Sequence, residues 1–140
     1  MPTLPWRQPA DAHTPGAAPT GAEAVVLATR LGLHPARSLP LFLLAALALR
    51  RRVLAAEGAL GVSLAAELRS GTLWTLSAWR DHAALDAFVR GGPHVDAMRR
   101  FRRRTVSPVF ISWTLPDTDL PVDWEEARRR VAEAENPPGS

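Results

Sequence analysis

Cysteine, tyrosine and lysine are all absent from this sequence of 140 residues, which limits the chemistry that its side chains can supply. Without cysteine the chain forms no disulfide and offers no thiol nucleophile, a composition compatible with the reducing cytoplasm, which is the compartment we predict. Arginine supplies all 17 basic residues. Because no pair of histidines or acidic residues has the spacing of metal ligands, we predict no metal site.

Long apolar runs and a strong charge imbalance are lacking as well. The apolar stretch Leu39 to Leu49 is far shorter than the roughly 20 residues that a membrane span needs, and it lies too far along the chain to be a secretory signal. The formal net charge of +3 does not require a polyanionic partner. In the arginine-rich run 99–104, helical spacing turns the one aromatic residue, Phe101, inward, and no recognition motif accompanies the run. We therefore expect a solvated or dimer-paired face and no nucleic acid or membrane partner.

The most informative stretch is Thr72 to Phe101. From Thr72 to Trp79 β-branched and aromatic residues alternate with period two and neither face carries a charge, which predicts a strand buried on both sides. Asp81 then stands where a helix N-cap belongs. The following helix is interrupted at Gly91-Gly92-Pro93, and a second helix is predicted to begin at about Pro93.

His94 is the histidine that this second helix singles out. It is followed at helical spacing by Ala97, Met98 and Phe101, so one helix face carries an imidazole and three apolar side chains. An imidazole there can act as a general base or hydrogen-bond a phenolate, since its pKa lies near neutrality. The alternative is a structural histidine that satisfies a backbone carbonyl at the start of the helix.

The periodicity of the remaining chain predicts a β-α-β-β-α-β order. Strands are expected at 23–31, 62–69, 72–79 and 108–115, and a long helix is expected from an N-cap at Ser38 to about Glu57. This order is the split βαβ unit of ferredoxin-like α+β folds, an antiparallel sheet with helices on one face. Because the strands at 72–79 and 108–115 are apolar or neutral on both faces, we expect a second copy to cover the face that the helices leave open, giving a homodimer. The long helix is apolar nearly all round, so we also expect it to be buried on most sides.

Two terminal segments flank this domain, which we place at residues 22–116. Residues 1–21 are rich in proline, alanine and threonine, so we expect a disordered or loosely packed arm in which only Trp6 has enough apolar surface to dock. Residues 117–140 are expected to form a linker, a helix opened by Pro121 and a fraying tail. An apolar stripe would let this helix pack across a partner or close a pocket: Leu120, Trp124, Ala127 and Val131.

The residues described above resemble a known family. The pattern T-L-S-x-W at 75–79, an amphipathic helix, and then G-x-x-H-x-x-A-M at 91–98 resemble the antibiotic biosynthesis monooxygenase-like superfamily, over about Glu23 to Leu115. The resemblance implies a dimeric α+β barrel of ferredoxin-like subunits, each with a small-molecule pocket between its sheet and its helices. Members of the superfamily include quinone-forming monooxygenases that need no cofactor and haem-degrading enzymes.

The resemblance also implies which side chains reach that pocket. We expect His94 to be catalytic and six residues to bind the substrate: Trp79, Trp113, Ser77, Thr75, Met98 and Phe101. Trp79 and Trp113 would wall a flat aromatic ligand. An alignment without gaps places Met98 where haem-degrading relatives carry a histidine ligand. Quinone-forming members rely partly on tyrosine and asparagine, whereas Asn136 is the single asparagine of this chain.

These expectations lead to one main hypothesis and three alternatives. The main hypothesis is a cofactor-independent monooxygenase-like enzyme of secondary metabolism that acts on a hydrophobic aromatic or polyketide-like molecule, with His94 removing a proton. A cyclase or isomerase would use the same base and pocket without O2. A haem-binding protein would ligate the iron through His94 or Met98. A dimer that binds a ligand without catalysis is the remaining alternative.

Overall fold

The computed structural model describes residues 3–7 and 21–135, which form one antiparallel sheet and four α-helices. The strands are β1 (Thr3–Arg7), β2 (Glu23–Leu33), β3 (Ala59–Glu67), β4 (Thr72–Trp79) and β5 (Thr105–Pro116). The helices are α1 (Leu39–Ala55), α2 (His82–Arg90), α3 (Gly92–Phe101) and α4 (Trp124–Glu135). The predicted ferredoxin-like α+β fold is confirmed, since β2 to β5 follow the β-α-β-β-α-β order with α2 and α3 as the broken second helix. No helix in these ranges is long and apolar enough to cross a membrane.

The sheet order is β1-β3-β4-β2-β5, with every neighbouring pair antiparallel. At its centre Thr75 of β4 stands opposite Leu64 of β3 and Thr29 of β2. Because side chains alternate along each strand, this register gives the sheet two faces of different composition. The cavity face carries Thr29, Leu64 and Thr75 toward α1, α2 and α3, and the α4 face carries Val26 and Leu76 toward α4.

Helices α1, α2 and α3 pack on the cavity face. Phe42 of α1 and Phe101 of α3 meet edge to face, with ring centroids 4.5 Å apart. The predicted N-cap of α2 is confirmed, because the carboxylate of Asp81 accepts a hydrogen bond from the backbone N–H of Ala84 at 2.8 Å. Gly91 then serves as the C-cap of α2 and the N-cap of α3, so one residue separates the two helices.

The α4 face is covered by the chain itself, which corrects the prediction that the helices lie on one face only. Ala127 and Val131, from the stripe predicted for the last helix, are completely buried against the sheet. Trp124 of the same stripe donates a hydrogen bond from Nε1 to Ser63 Oγ at 3.0 Å. A second copy is therefore not needed to cover this face. The homodimer remains a prediction, but an uncovered sheet face is no longer an argument for it.

Residues 3–7 form a strand, whereas the sequence predicted a disordered or loosely packed arm over residues 1–21; residues 8–20 lie outside the described part of the chain. Pro5 cannot donate a backbone hydrogen bond, and β1 accordingly lies at the edge of the sheet. Ser63 Oγ donates to the carbonyl of Leu4 at 2.6 Å. The indole of Trp6 occupies the space that a Cβ at Gly61 would need, so Trp6 docks on the domain.

Helix α1 is buried on one side, not on most sides as predicted. Phe42 and Ala46 face the core, whereas Leu41 and Leu44 are 41% and 66% exposed. Ser38 occupies the predicted N-cap position, but its side chain makes no capping hydrogen bond. The described chain therefore leaves an apolar strip of α1 exposed to solvent.

Candidate active site

A cavity of about 380 Å³ lies between the cavity face of the sheet and helices α1, α2 and α3. This volume falls within the roughly 300–1,000 Å³ that is typical of small-molecule sites. Strand residues form the floor and helix residues form the walls, and apolar side chains are the majority of both. The lining includes Leu27, Leu31, Leu64, Phe42, Ala46, Leu85, Phe88, Ala97, Met98, Phe101 and Phe110. Such a cavity favours an apolar ligand.

His94 is the titratable imidazole in the cavity wall. Its Nδ1 lies 3.2 Å from the backbone carbonyl of Val89, which can only accept a hydrogen bond, so Nδ1 carries a proton. In the neutral ring this leaves the lone pair on Nε2. Burial lowers the pKa of His94 below its ordinary value of 6.5, and the hydrogen bond to Val89 partly opposes that change. At neutral pH the imidazole is therefore uncharged and able to accept a proton.

Three hydroxyl groups give the otherwise apolar floor some polarity. Thr29 and Thr75 stand opposite each other on neighbouring strands and share a hydrogen bond between their Oγ1 atoms. Ser77 Oγ accepts a hydrogen bond from Trp79 Nε1 at 3.0 Å. These hydroxyls are already partnered, yet each keeps capacity for one more hydrogen bond to a ligand.

The structure brings together most of the side chains that were predicted to form the site. His94 lines the cavity together with four of the predicted substrate-binding residues: Thr75, Ser77, Met98 and Phe101. Trp79 shares the cavity face but does not line the cavity. It is 1% exposed, and its ring centroid lies 5.3 Å from that of Phe88. Trp79 therefore supports the wall from behind and holds the Ser77 hydroxyl.

Trp113 lies on the opposite face of the sheet, so the prediction that it walls the ligand pocket is wrong. In the register of β2 and β5, Trp113 pairs with Val26, which faces α4. The guanidinium of Arg130 on α4 lies over its ring, 4.6 Å from the centroid. The aromatic wall at the β5 edge is instead supplied by Phe110, which is 49% exposed.

Three polar residues of the cavity were not among the predicted site residues: Thr29, Arg50 and Asp86. Thr29 lies in the predicted strand 23–31 and Asp86 lies on α2, and no motif singled out either residue. Arg50 is the first of three consecutive arginines in the predicted helix 38–57, and it follows Phe42 and Ala46 at spacings of four, so it belongs to their stripe. This helical spacing was the signal that could have found Arg50.

A groove adjoins the cavity on its outer side. The cavity and the groove share four lining residues: Val89, His94, Met98 and Phe110. Arg99 and Arg102 line the groove but not the cavity. His94 therefore stands where the cavity meets a groove with basic residues. Within residues 3–7 and 21–135, no group of three or more histidine or acidic side chains is placed to hold a metal ion.

Fold and cavity together define a small α+β protein with an apolar cavity between its sheet and its helices. A family model described as "Domain of unknown function (DUF3291)" matches residues 50–137, and the chain belongs to this family. A search of curated proteins gives no match.

Solved structures with the same fold include several oxygenases. A proposed monooxygenase from Fusobacterium nucleatum is 11% identical with a TM-score of 0.64, over 71% of this chain and 46% of that protein. SnoaB, a cofactor-independent oxygenase from Streptomyces nogalater, is 15% identical with a TM-score of 0.53, over 66% of this chain and 92% of SnoaB. Rv0793 from Mycobacterium tuberculosis is 22% identical with a TM-score of 0.54, over 71% of this chain and 96% of that protein.

These similarities confirm the resemblance to antibiotic biosynthesis monooxygenase-like proteins at the level of the fold. The chain spans less than half of the Fusobacterium protein, and all three identities are low. A shared fold hosts different reactions, so the function must be argued from the residues of the site.

Proposed function

We propose that this protein is a cofactor-independent, monooxygenase-like enzyme that acts on a hydrophobic aromatic or polyketide-like small molecule. The observation that carries this proposal is His94, whose Nδ1 is engaged by the carbonyl of Val89 while the ring lines an apolar cavity. Burial lowers the pKa of His94, so its base form is present at neutral pH. An apolar cavity with one neutral base suits a substrate that must lose a single proton.

The reaction begins with proton transfer from a bound phenol or enol to Nε2 of His94. The resulting electron-rich anion passes one electron to O2, and the substrate radical and superoxide then combine through a new C–O bond. The peroxide anion takes the proton back from His94. Loss of the hydrogen on the same carbon, with cleavage of the O–O bond, leaves a carbonyl and releases water. One O2 is consumed, one of its oxygen atoms is retained, and the substrate supplies all the electrons.

The protein contributes a base, orientation and a dry site to this sequence. Phe42, Phe88 and Phe101 surround the cavity with aromatic faces and edges that hold a flat ring. The Thr75 and Ser77 hydroxyls on the floor offer hydrogen bonds that fix which ring edge approaches His94. Positioning the acidic hydrogen near Nε2 is the main catalytic task, because the substrate is its own reductant.

Oxygen uptake tests this proposal directly, with anthrone and 1-naphthol as probe substrates. Anthrone suits the test because its conversion to anthraquinone consumes one O2 and releases one water. We expect His94→Ala to lower kcat/KM by about 10²–10⁴-fold, the usual contribution of a general base. His82→Ala is the matched control, because His82 is exposed at the start of α2 and should keep the wild-type rate. A His94→Ala enzyme that turns over at the wild-type rate would sink the proposal.

The same geometry supports a cyclase or isomerase, which would need the base and the cavity but no oxidant. Product formation that depends on His94 while dissolved O2 stays constant would favour this alternative. Mass spectrometry of the product separates the two reactions, since only oxygenation to the quinone adds an oxygen atom.

Haem binding is a further candidate because His94 and Met98 line one cavity. A histidine whose second ring nitrogen donates to a carbonyl has the arrangement that is common among metal ligands. A haemin titration tests it. A shifted Soret band that is lost in Met98→Leu or His94→Ala would show haem binding at this site and contradict the cofactor-free mechanism. An unshifted band would exclude haem binding.

The homodimer and the cytoplasmic compartment are also part of the proposal. Leu41 and Leu44 on α1, which are 41% and 66% exposed, are the surface that we assign to a second copy. Sedimentation should give the mass of a dimer, and Leu44→Glu should shift it toward the monomer. A wild-type chain that sediments as a monomer at micromolar concentration would contradict this assignment.

A further inference from the structure

Arg50 is a charged side chain of the cavity that takes no part in the proposed mechanism. It lies on α1 and lines the cavity, and its Nε is buried without a hydrogen-bond partner among the described residues. The next two residues, Arg51 and Arg52, are exposed and take no part in the lining. The three arginines are consecutive in the sequence, yet helical geometry directs only the first into the cavity.

A buried guanidinium N–H without a partner is costly. Leaving a buried donor unsatisfied is unfavourable, and more so when the group is charged. Arginine keeps its charge at all ordinary pH values, so it cannot escape the cost by losing a proton. Within residues 3–7 and 21–135, no salt bridge engages Arg50. The cost persists unless a ligand brings an acceptor.

The surroundings of Arg50 favour an anionic acceptor. The cavity wall near it is mostly apolar, and a low dielectric strengthens a charge-assisted hydrogen bond. Asp86 on α2 lines the same cavity, but it is exposed, so water screens its charge. The hydroxyls of Thr29 and Thr75 bind each other, and neither accepts a hydrogen bond from Arg50 Nε.

We propose that Arg50 is the specificity-determining anchor for a carboxylate or a similar oxyanion on the substrate. The substrate class of the proposed enzyme is then an aromatic acid, whose apolar body fills the cavity while its anionic group binds Arg50. This inference rests on the proposed function for the position of the aromatic body, but the anchor itself is tested by binding alone.

Two fluorescent probes with the same ring skeleton test the anchor. N-phenyl-1-naphthylamine is neutral, and 8-anilinonaphthalene-1-sulfonate adds one sulfonate to it. The wild-type protein should bind the sulfonate more tightly. Arg50→Gln should weaken binding of the sulfonate by about 10- to 100-fold, the range for a hydrogen bond to a charged group, and leave the neutral probe within about twofold.

Two further variants separate charge from structure. Arg51→Gln removes the same charge from an exposed site on the same helix and should bind both probes like the wild type. Arg50→Lys keeps the charge without the Nε donor and should retain part of the preference for the sulfonate. Ala97→Trp fills the cavity and should weaken the binding of both probes. If Ala97→Trp lacks a cooperative thermal transition, Ala45→Phe replaces it as the cavity-filling variant.

The results that overturn the inference are distinct. Equal binding of the sulfonate by wild type and Arg50→Gln would remove the anchor and leave the proposed enzyme intact. Equal loss of both probes in Arg50→Gln would make Arg50 a structural residue. Failure of the wild type to bind either probe would overturn the anchor and the aromatic substrate class together. Binding of both probes at full strength to the filled cavity would place them outside it and would also refute the anchor.

Discussion

The two faces of the sheet are built from the same alternating strands, yet one is closed and the other holds a cavity. On the α4 face, Ala127 and Val131 are completely buried against the sheet. On the cavity face, α1, α2 and α3 leave about 380 Å³ unfilled beside His94. The break between α2 and α3 at Gly91 lies between Val89 and His94, which both line the cavity. The α4 face is therefore the more closely packed of the two, and the cavity face carries the candidate site.

Polar contacts reinforce the closed face. The guanidinium groups of Arg30 and Arg128 both lie over Trp74, with their carbons 5.9 and 5.5 Å from a ring centroid. Arg128 also pairs with Glu67 at 3.3 Å, and Arg30 pairs with Glu135. These pairs are partly exposed, so each contributes little alone, but they fix the position of α4 across the strands.

The largest expected effect comes from truncating a side chain on the closed face. Leu76 is completely buried there, so Leu76→Ala should lower the free energy of unfolding by about 2–5 kcal/mol. Leu27→Ala on the cavity face should cost less, because this partly buried side chain already borders empty space. Urea denaturation measures both values, and an equal loss would mean that the two faces are packed alike.

Enlarging a small residue should destabilise the fold more on the α4 face than on the cavity face. Ala28 is 1% exposed on the α4 face, so Ala28→Leu should destabilise the fold by about 1–3 kcal/mol through overpacking. Ala46 borders the cavity, and Ala46→Leu should be nearly neutral because the added atoms have room. Thermal unfolding of the pair checks this, and a strongly destabilised Ala46→Leu would argue against an open cavity.

Loss of the α2 cap should have a moderate effect on the cavity side only. Asp81→Ala removes the side-chain acceptor for the N–H of Ala84 and should cost about 1 kcal/mol. Hydrogen exchange should report faster opening of α2 with α4 unchanged, since α4 packs on the other face. Asp81→Asn keeps an acceptor and should restore most of the loss. Equal acceleration in α2 and α4 would show that the two faces unfold as one unit.

The smallest effect should be the pH dependence that His94 gives to stability. Burial lowers the pKa of His94 in the folded state, so the unfolded chain binds more protons as the pH falls below about 6.5. The free energy of unfolding should therefore decrease from neutral pH into the mildly acidic range. His94→Gln should flatten this part of the profile relative to His82→Gln. A profile that His94→Gln leaves unchanged would contradict the lowered pKa.

Local sequence patterns predicted much of the cavity face. The bounds of the strand Thr72–Trp79, the N-cap at Asp81 and the stripe from His94 to Phe101 were all visible, because each depends on neighbours in the sequence. Trp113 was assigned to the wrong face of the sheet. Alternation within β5 divides its residues into two sets, but it does not tell which set faces the cavity. That choice depends on the register with β2, which only the folded sheet fixes.

Local sequence patterns also could not predict that α4 covers the second face of the sheet. An amphipathic helix such as α4 has the same stripe whether it packs on its own sheet or on a partner. The sequence therefore predicted the stripe of Ala127 and Val131 but not its target. Arg50 was missed for a different reason: it is the first of three consecutive arginines, and this run conceals the helical spacing that Arg50 shares with Phe42 and Ala46.

The central claim is that the open face holds a neutral imidazole with an available Nε2. NMR of ¹⁵N-labelled histidine side chains measures this without a substrate, with His94→Gln to assign the signal. We expect a pKa for His94 below 6.5, an Nδ1-protonated neutral ring, and a change in the Nε2 chemical shift when 1-naphthol binds. A pKa at or above 6.5, or a neutral ring protonated at Nε2, would contradict it.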